Sequence, residues 1–364
     1  MPTRSTTPTR WPLADGRELL FFSLPDHHPK PVTDRRPLTD QRGQSQLRFD
    51  RQTGQWVIVA ALRQDRTHIP TPAECPLCPG PSGLTSEVPA PDYDVVVFEN
   101  RFPSLSGEGA SLPQPADDFA PAPGHGRCEV ISFTSDHVGS FADLELPHAR
   151  LVVEAWRHRT ADLITRPGIE QVFCFENRGE EIGVTLTHPH GQIYGYPFLT
   201  PRTARMMDQA RAHRKSHGTN LFADILAEEV AEGTRIITRN EHFTAFVPFA
   251  SRWPVEVHIH PNRFVRNLTE LDDAEVDAFA AIYLDVLQRF DRMYPTVLPY
   301  MSALHQYADT DAQREGCFHV ELVSIRRSAS KLKFLASSES MMEAFIMDVT
   351  PESVAARLRE LGDE

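Results

Sequence analysis

The chain has 364 residues, 40% hydrophobic and 24% charged, which suits one large globular domain or two modest ones. A formal net charge of -13 argues against nucleic-acid and membrane-surface partners, because both surfaces are anionic, and no apolar run is long enough to span a bilayer. Five cysteines, two of them in a single Cys-x-x-Cys, fit a reduced cytoplasmic compartment with a metal site better than a disulfide framework.

From the N-terminus, residues 1–43 mix short apolar words such as Leu19-Leu20-Phe21-Phe22 with Pro, Asp and Arg, and read as a mostly irregular arm. The first ten residues lack acids and read as a disordered tail rather than a transit peptide. Arg48 to Ala60 has polar turn residues before a β-branched run, which predicts a hairpin. Glu74-Cys75-Pro76-Leu77-Cys78-Pro79 is a knuckle whose two thiolates can bind one soft divalent cation. A redox pair would open a helix, whereas the flanking prolines and Gly80 suit a tight loop. Asp94 to Phe98 and Val130 to Phe133 read as strands, Leu146 to Leu163 has helical spacing, and Gln171 to Phe175 is a further strand. Cys128, Cys174 and Cys317 lie in apolar settings and read as inert core thiols.

The chemistry concentrates at Thr187-His188-Pro189-His190-Gly191-Gln192-Ile193-Tyr194. In extended backbone, residues two apart share a face, so His188, His190 and Gln192 are expected to project together. Pro189 suits a sheet edge, and Gly191 would let a ligand approach the backbone. A neutral imidazole whose other ring nitrogen is held by an acceptor is a good nucleophile toward phosphorus. A glutamine beside it can hold a phosphoryl oxygen without moving a proton.

Beyond Thr200 the pattern repeats. Val257 to Leu271 and the helix to Met293 echo Val130 to Leu144 and its helix. The echo of the histidine motif falls at Cys317-Phe318-His319-Val320-Glu321, with Glu321 read at the place of the second histidine and no Gly-Gln after it. This pattern predicts a duplication with one active and one retired half, in which His258 and His260 are structural strand residues.

The pentapeptide His188 to Gln192, with Phe175-Glu176-Asn177-Arg178-Gly179-Glu180-Glu181-Ile182-Gly183 upstream, resembles the signature of galactose-1-phosphate uridylyltransferase, the transferase branch of the histidine-triad superfamily. The resemblance recurs toward both ends and covers most of the chain. It implies an α/β (α+β) fold of two histidine-triad-like lobes, each an antiparallel sheet with packed helices: an arm at 1–43, a first lobe at 44–200 and a second at 201–364. It implies exchange of UMP between UDP-glucose and galactose 1-phosphate through a uridylyl-histidine on His190, with Gln192 holding phosphoryl oxygens and the His188 carbonyl orienting the ring. Cys75, Cys78, His137 and His188 are its implied ligands for a structural zinc, with iron as the other candidate metal and no organic cofactor. Arg63 and Arg66 resemble phosphate-contacting arginines that reach in from the other subunit of a homodimer with shared active sites. Asn100, Arg101 and Phe102 match a uridine-contacting turn, and Asn177 a further nucleotide contact. Gly183, Val184 and Thr185 align with the segment beside the phosphates, where cysteine and serine are usual at the last two positions. Lys333, Phe334 and Glu339 resemble the hexose-contacting stretch, with Ser338 in place of its usual tyrosine and Phe345 near its usual glutamine. Some relatives bind a second metal through one glutamate and three histidines. Here His305, His319 and Glu321 remain and Met206 stands where the glutamate is expected, so no second site is assigned. The departures leave two other readings open, a related NDP-sugar phosphorylase or adenylyltransferase and a non-catalytic, zinc-stabilised nucleotide-binding protein.

Overall fold

The computed structural model describes residues 7–39, 45–61, 70–109, 112 and 120–362. In chain order the strands of the first half are β1 (Thr9–Pro12), β2 (Glu18–Phe22), β3 (Gln46–Asp50), β4 (Gln55–Val59), β5 (Val95–Glu99), β6 (Ala122–Pro123), β7 (Arg127–Ser132), β8 (Gln171–Arg178) and β9 (His190–Tyr196). The second half adds β10 (Ile236–Arg239), β11 (Phe243–Phe246), β12 (Val255–Pro261), β13 (Tyr300–His305), β14 (His319–Ser324) and a two-stranded ribbon of β15 (Arg326–Ser328) and β16 (Lys331–Leu332). Eleven strands form one sheet in the order β1-β2-β5-β7-β9-β8-β13-β14-β12-β11-β10, while β4, β3 and β6 form a small separate sheet. The halves join where β8 runs antiparallel to β13, from the Tyr300–Arg178 pair to the His305–Phe173 pair. The two expected sheets are therefore fused edge to edge, which pairs backbone groups that two free edges would have left open.

Helices α1 (Leu146–Leu163) and α4 (Asp273–Arg292) pack against each other and against the sheet. The start of α4 is written in its sequence. Asp272 Oδ1 accepts from the Glu275 amide at 2.9 Å, and the Glu275 carboxylate accepts from the Asp272 amide at 2.9 Å, a reciprocal cap. Between the helices, Phe141 stacks on Trp156 at 5.9 Å and meets Tyr283 edge-on at 4.9 Å. Each such buried aromatic contributes roughly 1.5–3 kcal/mol by removal from water. Glu129 on β7 lies buried between Arg159 of α1 and Arg127. Burial alone would raise its pKa, but the two guanidiniums prevail and hold it at about 2. The remaining helices are α2 (Pro201–His217), α3 (Leu221–Glu232), α5 (Ser337–Met342) and α6 (Pro351–Glu360).

Three local expectations change. The arm at 1–43 is not mostly irregular: β1 and β2 form a hairpin, and β2 joins the main sheet along β5. Leu19, Leu20, Phe21 and Phe22 are all buried, as a strand covered on both faces requires, and the surrounding Pro and Asp masked that signal. β9 is an interior strand between β7 and β8 rather than an edge. Pro189 is tolerated because it precedes the first ladder residue, and its carbonyl still accepts from the Phe133 amide at 3.1 Å. Gly191 faces the core instead of a ligand. A Cβ there would lie 2.8 Å from the Phe175 carbonyl oxygen and 2.9 Å from the Phe133 ring.

Candidate active site

Alternation along β9 puts Gly191 and Ile193 toward the core and leaves His190, Gln192 and Tyr194 on the opposite face. His190 Nδ1–H donates to the His188 carbonyl at 2.7 Å, so the lone pair resides on Nε2. Burial lowers the pKa of this imidazole, against the opposing pull of that carbonyl, and keeps the ring neutral. His190 and Gln192 line two adjoining cavities. The larger, about 440 Å³, is walled by Leu77, Phe98, Asn100, Arg101, Phe102 and Val130. The smaller, about 240 Å³, is walled by Phe175, Asn177, Gly183, Val184, Thr185 and Tyr194. Thr185 is common to both. Asn100 Oδ1 accepts from the Phe102 amide at 2.9 Å and folds the turn that bears Arg101, whose guanidinium lies 5.4 Å from the Phe102 ring centre. The Arg36 guanidinium in the larger cavity is already paired with Asp34 and Glu87.

His188 does not share the cavity-facing side of the strand with His190 and Gln192. It lies in the bend before the strand, 1% exposed, and its ring turns to the knuckle. Its Nδ1 is 3.7 Å from Cys75 Sγ and 3.5 Å from Cys78 Sγ, and His137 Nδ1 is 3.3 Å from Cys78 Sγ. A tetrahedral ion with metal–sulfur bonds of about 2.3 Å and metal–nitrogen bonds of about 2.0 Å needs edges of about 3.3–3.8 Å. The four side chains fit that requirement. His188 Nε2–H donates to the Thr134 carbonyl at 2.8 Å, which fixes the tautomer with its Nδ1 lone pair toward the thiols. Without a cation, burial and then Cys75 push the Cys78 thiol up to about 12.

Family profiles match almost the whole chain: "Galactose-1-phosphate uridyl transferase, N-terminal domain" at residues 35–201 and the C-terminal domain of the same name at 206–364. A galactose-1-phosphate uridylyltransferase of Streptomyces lividans is 44% identical, covering 96% of this chain and 97% of its own. The chain belongs to the galactose-1-phosphate uridylyltransferase family. A second relative of that name, from Thermotoga maritima, is 38% identical over 86% of this chain and 98% of its own. A solved uridylyltransferase structure superposes with a TM-score of 0.77 at 30% identity, covering 87% of this chain and 98% of that one. The chain is accordingly an enzyme, a transferase, and the non-catalytic reading falls away.

Of the positions suggested by resemblance to galactose-1-phosphate uridylyltransferases, the fold gathers Asn100, Arg101, Phe102, Asn177, Gly183, Val184 and Thr185 around His190 and Gln192. Arg63 and Arg66 lie outside the described residues. Lys333, Phe334 and Glu339 line neither cavity at His190. Lys333 is buried beside Glu339, 3.6 Å from its carboxylate, while Phe334 is 74% exposed. The residues the sequence reading missed include Tyr93, whose hydroxyl donates to the Leu77 carbonyl at 2.6 Å and lies 3.1 Å from His188 Nε2. Nothing near Tyr93 in the sequence signals that role. Tyr194 could have been found, since it continues the alternation of the motif.

In the second half the motif echo shifts. Gln192 is paired with Val130 and Phe175, and Glu321 with His258 and Ala303 on the matching strands. Glu321 thus stands at the place of Gln192, and His319, not Glu321, at the place of the second histidine. His305, His319 and Glu321 bring their donor atoms within 4.8 Å of one another. Arg202 Nη2 lies 2.6 Å from both Glu321 oxygens, and Met206 in the same cavity wall offers no oxygen. The four-ligand set of those relatives is incomplete here, and a guanidinium already takes the carboxylate's charge.

Proposed function

We propose that this chain exchanges a uridylyl group between UDP-glucose and galactose 1-phosphate through a covalent intermediate on His190. The observation that carries the assignment is the ring of His190, held by its own motif's carbonyl with Nε2 as the free nitrogen, at the junction of two cavities. The larger, partly aromatic cavity suits uridine, and the smaller polar one suits the phosphate of the sugar. Nε2 attacks the α-phosphorus of UDP-glucose, a P–N bond forms, and the bond to the bridging oxygen breaks as glucose 1-phosphate leaves. The phosphate oxygen of galactose 1-phosphate then attacks the same phosphorus, the P–N bond breaks, and UDP-galactose departs. Nδ1–H stays on the His188 carbonyl throughout, so neither step requires a proton to move. Positioning and charge stabilisation supply most of the rate, with the Gln192 amide on the non-bridging oxygens.

Cys75, Cys78, His137 and His188 would hold zinc. Four protein ligands leave no open position, so the ion's contribution is structural: it anchors His188, whose carbonyl orients His190. The reading gives the chemistry to residues 44–200 and makes 201–364 the supporting half of a cytoplasmic homodimer. Phe334, Met341, Met342 and Ile346 are each more than 60% exposed, apolar side chains suited to burial against a second copy. Docked there, the Lys333 stretch would complete the partner's sugar site, and Arg63 and Arg66 would cross to its phosphates. Incubation with UDP-glucose and no acceptor, followed by intact mass, tests the reading. One uridylyl group per chain is the expected gain, and an unmodified protein that still turns over both substrates overturns it.

A further inference from the structure

A glutamine amide has two ends of nearly equal size and opposite character, and only the NH2 end can hold a phosphoryl oxygen. If the amide turned over, its carbonyl would face the phosphate and repel it. Two residues further along β9, on the same face, the Tyr194 hydroxyl donates to Gln192 Oε1 at 3.1 Å. The phenol is itself confined. It is 8% exposed, and its ring meets Phe175 edge-on at 5.1 Å and Tyr196 at 5.7 Å. Both Gln192 and Tyr194 line the smaller cavity with His190.

We propose that Tyr194 is a positioning residue for uridylyl transfer, its hydroxyl holding Gln192 Oε1 so that the amide NH2 is presented to the phosphoryl oxygens. This rests on the transfer reading above. The second half supplies a contrast. There Glu321 stands at the place of Gln192, and Val323 follows it by two residues. A carboxylate has two equivalent ends and needs no such selection, and its partner is a guanidinium instead of a phenol.

The test is a double-mutant cycle read by single-turnover uridylylation of His190, using UDP-glucose without acceptor, rapid quench and intact mass. Tyr194→Phe keeps the ring and removes only the hydroxyl. We expect it to slow adduct formation about 10-fold, as for loss of one hydrogen bond that matters in the transition state, with UDP-glucose affinity and melting temperature unchanged. Gln192→Ala should slow it about 100-fold. Adding Tyr194→Phe to Gln192→Ala should cost nothing further, because the hydroxyl acts only through the amide. A full 10-fold loss in the Gln192→Ala background, or no loss in the single variant, overturns the proposal while leaving the transfer reading intact. A wild-type chain that forms no adduct overturns the transfer reading first, and this proposal with it.

Discussion

The two halves of the sheet are built alike and carry different side chains at corresponding places. Each runs strand, strand, helix, strand, strand, and each places its fourth strand between its second and third, as β5-β7-β9-β8 and β11-β12-β14-β13. Each keeps a histidine at the start of that fourth strand with Nδ1–H on the carbonyl two residues earlier, His190 on His188 at 2.7 Å and His319 on Cys317 at 2.8 Å. The imidazole geometry of a nucleophile is therefore present twice. What separates the halves is what faces the ring. His190 looks onto Gln192 and two open cavities, with a metal-ligand cluster behind His188. His319 looks onto Glu321, with His260 and His305 rings at 5.0 and 4.5 Å; it is 2% exposed, and it too lines a cavity, of about 630 Å³, shared with Arg202, His258 and Glu321. The carboxylate at that place is paired with Arg202. The two histidines are oriented alike, and the side chain beside each differs, an amide at one and a paired carboxylate at the other.

Removing each histidine in turn should separate the two halves most strongly. His190→Ala should lower uridylyl transfer by roughly 10⁴-fold or more and abolish nucleotide uptake, with the fold retained. His319→Ala should still take up one uridylyl group per chain. Intact mass after UDP-glucose reads both, and covalent nucleotide on the His190 variant would end the assignment.

A smaller effect is expected from exchanging the neighbouring residues. Gln192→Glu gives the first half the carboxylate of the second, and should slow transfer about 100-fold or more by placing negative charge against the phosphoryl oxygens. A variant within threefold of wild type, by steady-state rate, would show that this position does not face the phosphate.

Metal content separates the halves without reference to activity. Cys75→Ser should lose the ion and lower the melting temperature by on the order of 10 °C, since a structural site contributes directly to folding. His319→Ala should keep the same metal content as wild type in elemental analysis. A wild-type protein with neither zinc nor iron would dismiss the Cys75–Cys78–His137–His188 site.

The mildest change is Glu321→Gln, which makes the second half resemble the first. Its ion pair with Arg202 is partly exposed on the arginine side, so the cost should be about 1 kcal/mol or less, with transfer unaffected. Chemical denaturation measures it, and a loss of several kcal/mol would mean that this carboxylate holds the second half together.

Much of this site was legible along the chain because its signals are local. The helical spacing from Leu146 to Leu163, the Cys75–Cys78 knuckle and the alternation of His190 and Gln192 each depend on residues a few positions apart, where backbone geometry alone fixes direction. The lateral order of strands is not local. Nothing in Leu19 to Phe22 says that it pairs with Val95 to Phe98, and nothing in Thr187 to Tyr194 says that β9 runs inside the sheet. Only the closed structure decided between the shared face that alternation gives His188 and the ligand place beside Cys75 and Cys78 that resemblance implies for it, set Tyr93 against it from 95 residues away, and brought Arg202 onto Glu321. Those contacts are won through long-range pairing and burial, which a local pattern constrains but does not choose.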